Sequence, residues 1–143
     1  MPRSTHRRLG VVLAVLMLTG VLAAPQTAVA RTTLGAAGVT TPFHLEYGAS
    51  VVDGNIIWYA DSLSIGGYVK AVSGSRQAEF VGYGLWACGF DDTRTTPAGT
   101  TRSYGFSRTC VGPDDDEFVA VGVYLNDGSG NVLRWREIPS PYR

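Results

Sequence analysis

Apolar and polar positions alternate with a period of two along much of this chain. The alternation is clearest in residues 62–71, and it recurs in residues 118–125 and 132–137. Such a pattern is typical of β-strands that bury one face and expose the other. No stretch after residue 30 has a convincing 3.6-residue period. The pattern therefore predicts an all-β domain.

Turn residues separate these strand candidates. The pair Asp53-Gly54 predicts a tight hairpin, because both residue types tolerate positive φ. The stretch Ser73-Gly74-Ser75-Arg76 predicts a second hairpin, which leads into a strand that starts at Glu79. Residues 91–100 are polar and contain a proline and a glycine, so they are interpreted as a turn or a crossing loop.

Short strands at this spacing are typical of sandwiches and barrels. The sequence predicts an antiparallel, immunoglobulin-like β-sandwich of about seven strands. A small closed β-barrel is the alternative.

Two aromatic-rich runs, residues 79–88 and 102–110, carry the only two cysteines. An exported chain with one cysteine pair is expected to form a Cys88–Cys110 disulfide. Its loop of 22 positions would stabilise the fold by about 3 kcal/mol. The bond either closes one hairpin or bridges two sheets. On a period of two, the cysteines share their faces with aromatic residues: Phe80 and Trp86 in the first run, Tyr104 and Phe106 in the second.

The first 30 residues have the organisation of an export signal. Arginines precede a 16-residue apolar stretch, and Ala28-Val29-Ala30 has the small-x-small form that signal peptidase accepts. We expect cleavage between Ala30 and Arg31. The apolar stretch is shorter than the roughly 20 residues that span a bilayer, so no stable membrane anchor is expected.

The sequence thus divides into three predicted parts. Residues 1–30 form the signal peptide, residues 31–41 a disordered N-terminal tail, and residues 42–143 a single β-sandwich domain. The predicted location is extracellular.

Charge narrows the choice of partners. The signal holds three of the twelve basic residues and none of the twelve acidic ones, which leaves a net charge of −3 for the remainder. Nucleic-acid binding requires a basic face, so no nucleic-acid partner is expected.

No catalytic constellation is evident. His44 is the only histidine after the signal, and no nucleophile-elbow pattern accompanies it. The acidic run 114–117 lacks the ligand spacing of a calcium loop. Among strand-like acids, Glu46, Glu79 and Glu137 are the candidates for a glycosidase pair. We predict no catalytic residue, no metal site and no cofactor.

Aromatic side chains are the remaining candidates for a site. Tryptophan and tyrosine in an exposed row can stack on sugar rings, whereas large aromatic residues more often fill the core, which is the favoured interpretation of Trp58, Trp86 and Trp135. Tyr68 shares a polar strand face with Lys70, and Tyr83 would lie beside Tyr68 if their strands were neighbours. The candidate ligand-binding residues are Tyr68, Tyr83, Trp86 and Trp135.

Three segments, residues 51–59, 67–71 and 99–106, carry a resemblance. Together they resemble a group of small secreted actinomycete proteins of unassigned function, over most of the chain that follows the signal. The resemblance implies an extracellular domain and transfers no functional residue.

These observations predict a secreted, non-enzymatic β-sandwich that acts by binding an extracellular protein or a glycan. A carbohydrate-binding module is the more specific alternative. A small secreted hydrolase is the third.

Overall fold

A computed structural model describes residues 37–84, 88–110 and 117–143. These residues form eight β-strands and no helix, and so none of their segments is a long apolar helix that could cross a membrane. In chain order the strands are β1 Val39–Tyr47, β2 Ser50–Trp58, β3 Ser62–Ala71, β4 Arg76–Gly84, β5 Phe90–Thr96, β6 Thr100–Thr109, β7 Phe118–Asp127 and β8 Val132–Pro139.

The strands form two four-stranded sheets in which every neighbour is antiparallel. Sheet A has the order β1-β2-β3-β6, and sheet B has the order β5-β4-β7-β8. The antiparallel β-sandwich is confirmed, with eight strands. Its order differs from that of an immunoglobulin domain, where the third strand leaves the sheet of the first two. Here β3 stays beside β2, and β4 is the first strand of the other sheet.

The core lies between the sheets and follows the period-two pattern. Leu63, Ile65 and Val69 of β3 are buried, as are Val121, Val123 and Leu125 of β7. Phe80 is the largest buried side chain of sheet B, and it meets two aromatic rings of sheet A. The ring centroids of Tyr104 and Phe106 are 5.1 and 5.5 Å from that of Phe80. The aromatic faces of β4 and β6 therefore meet across the interior.

Strand β1 begins before the boundary that the sequence predicts. Val39, Thr40 and Thr41 pair with the end of β2, so the ordered domain does not begin at residue 42. The Trp58 indole explains this extension, because its Nε1 donates a hydrogen bond to Thr41 Oγ1 at 3.1 Å. Trp58 itself is 1% exposed, as the core interpretation expects.

The predicted hairpin at Asp53-Gly54 is wrong, because β2 runs straight through this pair. A Cβ at Gly54 would lie 2.3 Å from the Gly66 carbonyl oxygen and 2.8 Å from the Phe43 ring. Glycine is required there for close approach and not for a turn. The β1–β2 turn instead contains Gly48, at φ 59°.

Two further expectations about connections are wrong. Residues 72–75 do not close a hairpin, since they lead from β3 in sheet A to β4 in sheet B. Residues 91–96 are not part of a loop, since they belong to β5. The inward side chains of β5 include Asp92 and Arg94, so its buried side is polar and the period-two signal is lost.

The edge strands β5 and β6 close one side of the sandwich. Cys88 precedes β5 and Cys110 follows β6, and the predicted disulfide joins them with the Cα atoms 4.7 Å apart. Because β5 belongs to sheet B and β6 to sheet A, the bond bridges the two sheets. Some predicted features lie outside the described residues: the signal peptide with Ala30 and Arg31, Trp86, and the acidic residues 114–116.

Candidate functional site

Three aromatic side chains lie together on the outer face of sheet B, and we call them the aromatic face. Trp135 of β8 is 61% exposed, and Tyr83 of β4 is 41% exposed. Tyr124 of β7 is half-buried between them. The three strands are neighbours in the order β4-β7-β8, so the aromatic face extends across most of the sheet.

The strand register brings Tyr124 and Trp135 together. They are direct cross-strand partners, and both alternate with inward positions: Val123 and Leu125 on β7, Ile138 on β8. Their rings stack with centroids 6.0 Å apart and planes 16° apart. A stacked pair of this kind is worth about 1 kcal/mol beyond its burial.

Gly122 provides the space in which the Tyr124 ring lies. A Cβ on Gly122 would be 2.8 Å from Cε2 and 3.1 Å from the hydroxyl of Tyr124. The ring therefore lies over the backbone of its own strand. The Tyr124 ring therefore packs against the sheet and does not project from it.

The Tyr124 hydroxyl is hydrogen-bonded to the Tyr83 hydroxyl at 3.1 Å. This bond is the largest cause that raises the pKa of Tyr124 to about 12, and partial desolvation and the carboxylates of Glu79 and Glu137 add to it. The Tyr124 hydroxyl is therefore protonated at neutral pH. The pair can thus offer one donor and further acceptor sites to a ligand.

Glu79 is held beside the aromatic face by a buried amide. It is the cross-strand partner of Tyr124, and its Oε2 accepts a hydrogen bond from Asn126 Nδ2 at 2.6 Å. Asn126 is 1% exposed, and its Oδ1 is buried without a hydrogen-bond partner among the described residues. The amide orients a carboxylate next to the ring stack.

The candidate residues from the sequence divide between the two sides of the sandwich. Tyr83 and Trp135 come together, and Trp135 does not fill the core. Tyr68 is 38% exposed on the outer face of sheet A, opposite Asp53 and Ser103. Tyr83 does not lie beside Tyr68, because β3 and β4 are in different sheets and the condition that their strands be neighbours is not met.

Sequence reasoning missed Tyr124 and Asn126. Their strand shows a signal that could have found them, because Val121, Val123 and Leu125 form its core face. Tyr124 and Asn126 therefore alternate onto the other face. The sequence of β7 does not reveal that β4 and β8 are its neighbours, and these two strands supply the other aromatic residues of the face.

His44 lies on β1 of sheet A, and it lines a cleft at the β1–β8 edge together with Trp135 of the aromatic face. Its Nδ1 is 2.8 Å from Asp53 Oδ2, and its Nε2 is 3.6 Å from Glu46 Oε2. The Asp53 hydrogen bond is the main cause that raises the pKa of His44. Among the described residues, no serine or threonine hydroxyl is hydrogen-bonded to the imidazole, and no group of three His, Cys, Asp or Glu side chains could hold a metal.

A cleft of about 410 Å³ opens between β5 and β6 and is lined by Thr93–Thr96 and Arg102–Gly105. Several polar groups of this cleft already have hydrogen-bond or ion-pair partners within the protein. Arg94 pairs with Asp92, and the Tyr104 hydroxyl donates to the Asp53 carbonyl oxygen at 3.2 Å. Burial raises the pKa of Tyr104. The aromatic face, by contrast, directs its side chains to solvent.

Comparison with protein families, with curated proteins and with solved structures finds no match to this chain. The site must therefore be interpreted from its own chemistry.

Proposed function

We propose that the protein is a secreted, non-enzymatic carbohydrate-binding module and that the aromatic face is its binding site. The observation that carries this proposal is the exposed stack of Trp135 on Tyr124. The ring faces of sugars carry C–H groups, which pack on the electron-rich faces of tryptophan and tyrosine. Trp135 is 61% exposed and forms a contiguous aromatic patch with Tyr124 and Tyr83, and contiguous exposed patches of this kind mark interaction sites.

The polar groups around the stack suit the hydroxyls of a sugar. The Glu79 carboxylate accepts hydrogen bonds, and the phenols of Tyr83 and Tyr124 both donate and accept. Because Asn126 already orients Glu79, less conformational entropy is lost when a ligand binds.

Export is supported by the signal-like first 30 residues and by the disulfide, which persists in oxidising compartments. The resemblance to small secreted actinomycete proteins agrees with this location.

Binding without catalysis is supported by where the acidic side chains lie. Glu79 and Glu137 project from one face of one sheet, whereas glycosidase carboxylates flank the scissile bond from opposite sides. His44 has carboxylate neighbours and no hydroxyl nucleophile bonded to it among the described residues.

The test is a pull-down of residues 31–143 on insoluble chitin, chitosan, cellulose and xylan. Trp135→Ala should reduce binding by about tenfold or more, since exposed tryptophans are common binding hot spots. Tyr68→Ala is the matched control, because it removes an exposed aromatic ring from the opposite sheet and should leave binding unchanged. Absence of binding to all four polysaccharides, or an equal loss in both variants, would overturn the proposal.

A protein partner for the same face is the competing function. Soluble oligosaccharides should block the binding of a glycan to this face. They should not displace a protein partner. Purification of the natural ligand on the immobilised wild-type domain, with Trp135→Ala as the blank, separates the two.

A further inference from the structure

The outer face of sheet B has a charge pattern that narrows the ligand class. Along each strand the side chains alternate, and the register aligns the outward positions across the sheet. Among the described residues, the outward charged side chains are Asp91 of β5, Glu79 of β4 and Glu137 of β8. All three are acids.

The two glutamates flank the ring stack. Glu79 is the cross-strand partner of Tyr124, and Glu137 is two residues from Trp135 on the same face of β8. Glu137 is the cross-strand partner of Gly122, over which the Tyr124 ring lies, and both carboxylates help to raise the pKa of the Tyr124 phenol. A ligand on the stack would therefore lie close to two negative charges on the same face of the sheet.

The nearby arginines do not neutralise this face. Arg134 and Arg136 alternate with Trp135, so they leave β8 on its other side. With His44 and Glu46 of β1 and with Trp135, they line a cleft of about 300 Å³ at the β1–β8 edge. Among the described residues, neither arginine forms an ion pair with Glu79 or Glu137.

From this arrangement we infer that the aromatic face selects cationic amino sugars, such as polymers of unacetylated glucosamine, over neutral and acidic sugars. The inference rests on the proposed carbohydrate-binding function. A protonated amino group on a pyranose ring can pair with a flanking carboxylate while the ring's C–H face packs on the indole. An ammonium close to a tryptophan face is also attracted by the ring itself.

Acidic sugars are disfavoured by the same groups. A uronic acid on the stack would bring its carboxylate towards Glu79 and Glu137, and like charges repel at this range. An acetylated amino sugar carries no charge and gains only the stacking and hydroxyl contacts. The order of affinity is thus glucosamine, then N-acetylglucosamine, then galacturonic acid.

The test compares oligosaccharides of equal length by isothermal calorimetry at slightly acid pH and low salt. The glucosamine oligomer should bind about tenfold more tightly than the N-acetylglucosamine oligomer, and added salt should reduce this advantage. In the double variant Glu79→Gln with Glu137→Gln this advantage should be lost, so that the glucosamine and N-acetylglucosamine oligomers bind with equal affinity. Asp61→Asn is the control, because it removes an exposed acid from the β2–β3 turn of sheet A and should change neither affinity.

The outcomes separate the inference from the function on which it rests. Equal affinity for the glucosamine and N-acetylglucosamine oligomers would overturn the charge selection and leave carbohydrate binding intact. Binding of neither oligomer would also overturn the charge selection, and it would overturn carbohydrate binding as well if cellulose and xylan were not bound either. An oligolysine of equal charge that binds as tightly as the glucosamine oligomer would show that charge alone is recognised, and it would contradict both.

Discussion

The ring of Tyr124 lies over Gly122, and a Cβ at residue 122 would be 2.8 Å from it. The position of the ring against Trp135, and its hydrogen bond to Tyr83, both depend on this missing side chain. Gly122 does not have a positive φ. Glycine is therefore needed at this position to make room for the Tyr124 ring, and not to allow an unusual backbone conformation.

Gly122→Ala should therefore displace the Tyr124 ring. The displaced atoms are at the outer end of a half-exposed side chain, so the free energy of unfolding should change by less than about 1 kcal/mol. Affinity for the polysaccharide should fall by about tenfold, because the stack is disturbed. Urea unfolding and the pull-down measure the two quantities.

Gly105→Ala is the matched control for this change. Gly105 lies in β6 on the exposed face of sheet A, and an added Cβ would meet no atom within 4 Å. Equal losses of affinity in the two variants would contradict the role given to Gly122.

The pKa of the Tyr124 phenol depends on its hydrogen bond to the Tyr83 hydroxyl. Tyr83→Phe removes the hydrogen bond that contributes most to the raised pKa, so the pKa of Tyr124 should fall from about 12 towards the ordinary value of 10.0. Carbon NMR of labelled tyrosines, followed through alkaline pH, resolves Tyr124 from the other phenols. Tyr68→Phe should leave the Tyr124 titration unaltered, and an unchanged pKa in Tyr83→Phe would contradict the hydrogen bond.

Asp92 of β5 ties sheet B to sheet A. Its carboxylate is 10% exposed and pairs with Arg94 on its own strand and, at 2.8 Å, with Arg108 of β6. The Arg108 guanidinium also lies 5.0 Å from the centroid of the Phe106 ring. Asp92→Asn should lower the free energy of unfolding by about 2 kcal/mol, less than for a fully buried pair because both arginines are partly solvated.

The exposed acid Asp61 again serves as the control for charge. Asp61→Asn should change the free energy of unfolding, measured by urea unfolding, by no more than about 0.5 kcal/mol. A loss in Asp92→Asn no larger than this would indicate that the ion pairs do not join the sheets.

His44 makes stability depend on pH. The Asp53 hydrogen bond raises the pKa of His44 above its ordinary value of 6.5. Because the pKa is higher in the folded state, the stabilisation is complete below pH 6.5 and is lost as pH rises through the raised value. The stability advantage of the wild type over His44→Gln should therefore shrink above pH 6.5, as measured by urea unfolding across this range. An advantage that is constant or grows with pH would contradict the assignment.

Much of the fold could be predicted from the sequence, because strands with one buried face carry a period-two pattern. β3 and β7 are examples, and Val121, Val123 and Leu125 identify the core side of β7. The disulfide could be predicted from export and cysteine count. Whether it bridges sheets could not, because that depends on β5.

Strand β5 escaped the pattern for a physical reason. Its inward side chains include Asp92 and Arg94, whose charges neutralise each other above the Phe106 ring. An inward-facing, partly solvated ion pair adds polar residues to the second face of the strand. Local sequence then looks like a loop.

The candidate site could be predicted only in part. The sequence predicts Tyr83 and Trp135 as candidate binding residues. They lie on the same face only because β7 pairs with both of their strands, β4 and β8. The connection 72–75 is short enough for a hairpin or for a crossing to the other sheet. That choice separates Tyr68 from Tyr83, and no local pattern encodes it.

The most direct test of the aromatic face as a glycan site is an NMR titration of the labelled domain with a glucosamine oligosaccharide. The account predicts that the largest shifts fall on the Trp135 indole and on Tyr124, Tyr83 and Glu79, while Tyr68 and Ser103 on the outer face of sheet A stay unperturbed. Shifts centred on sheet A, or on the cleft between β5 and β6, would contradict it.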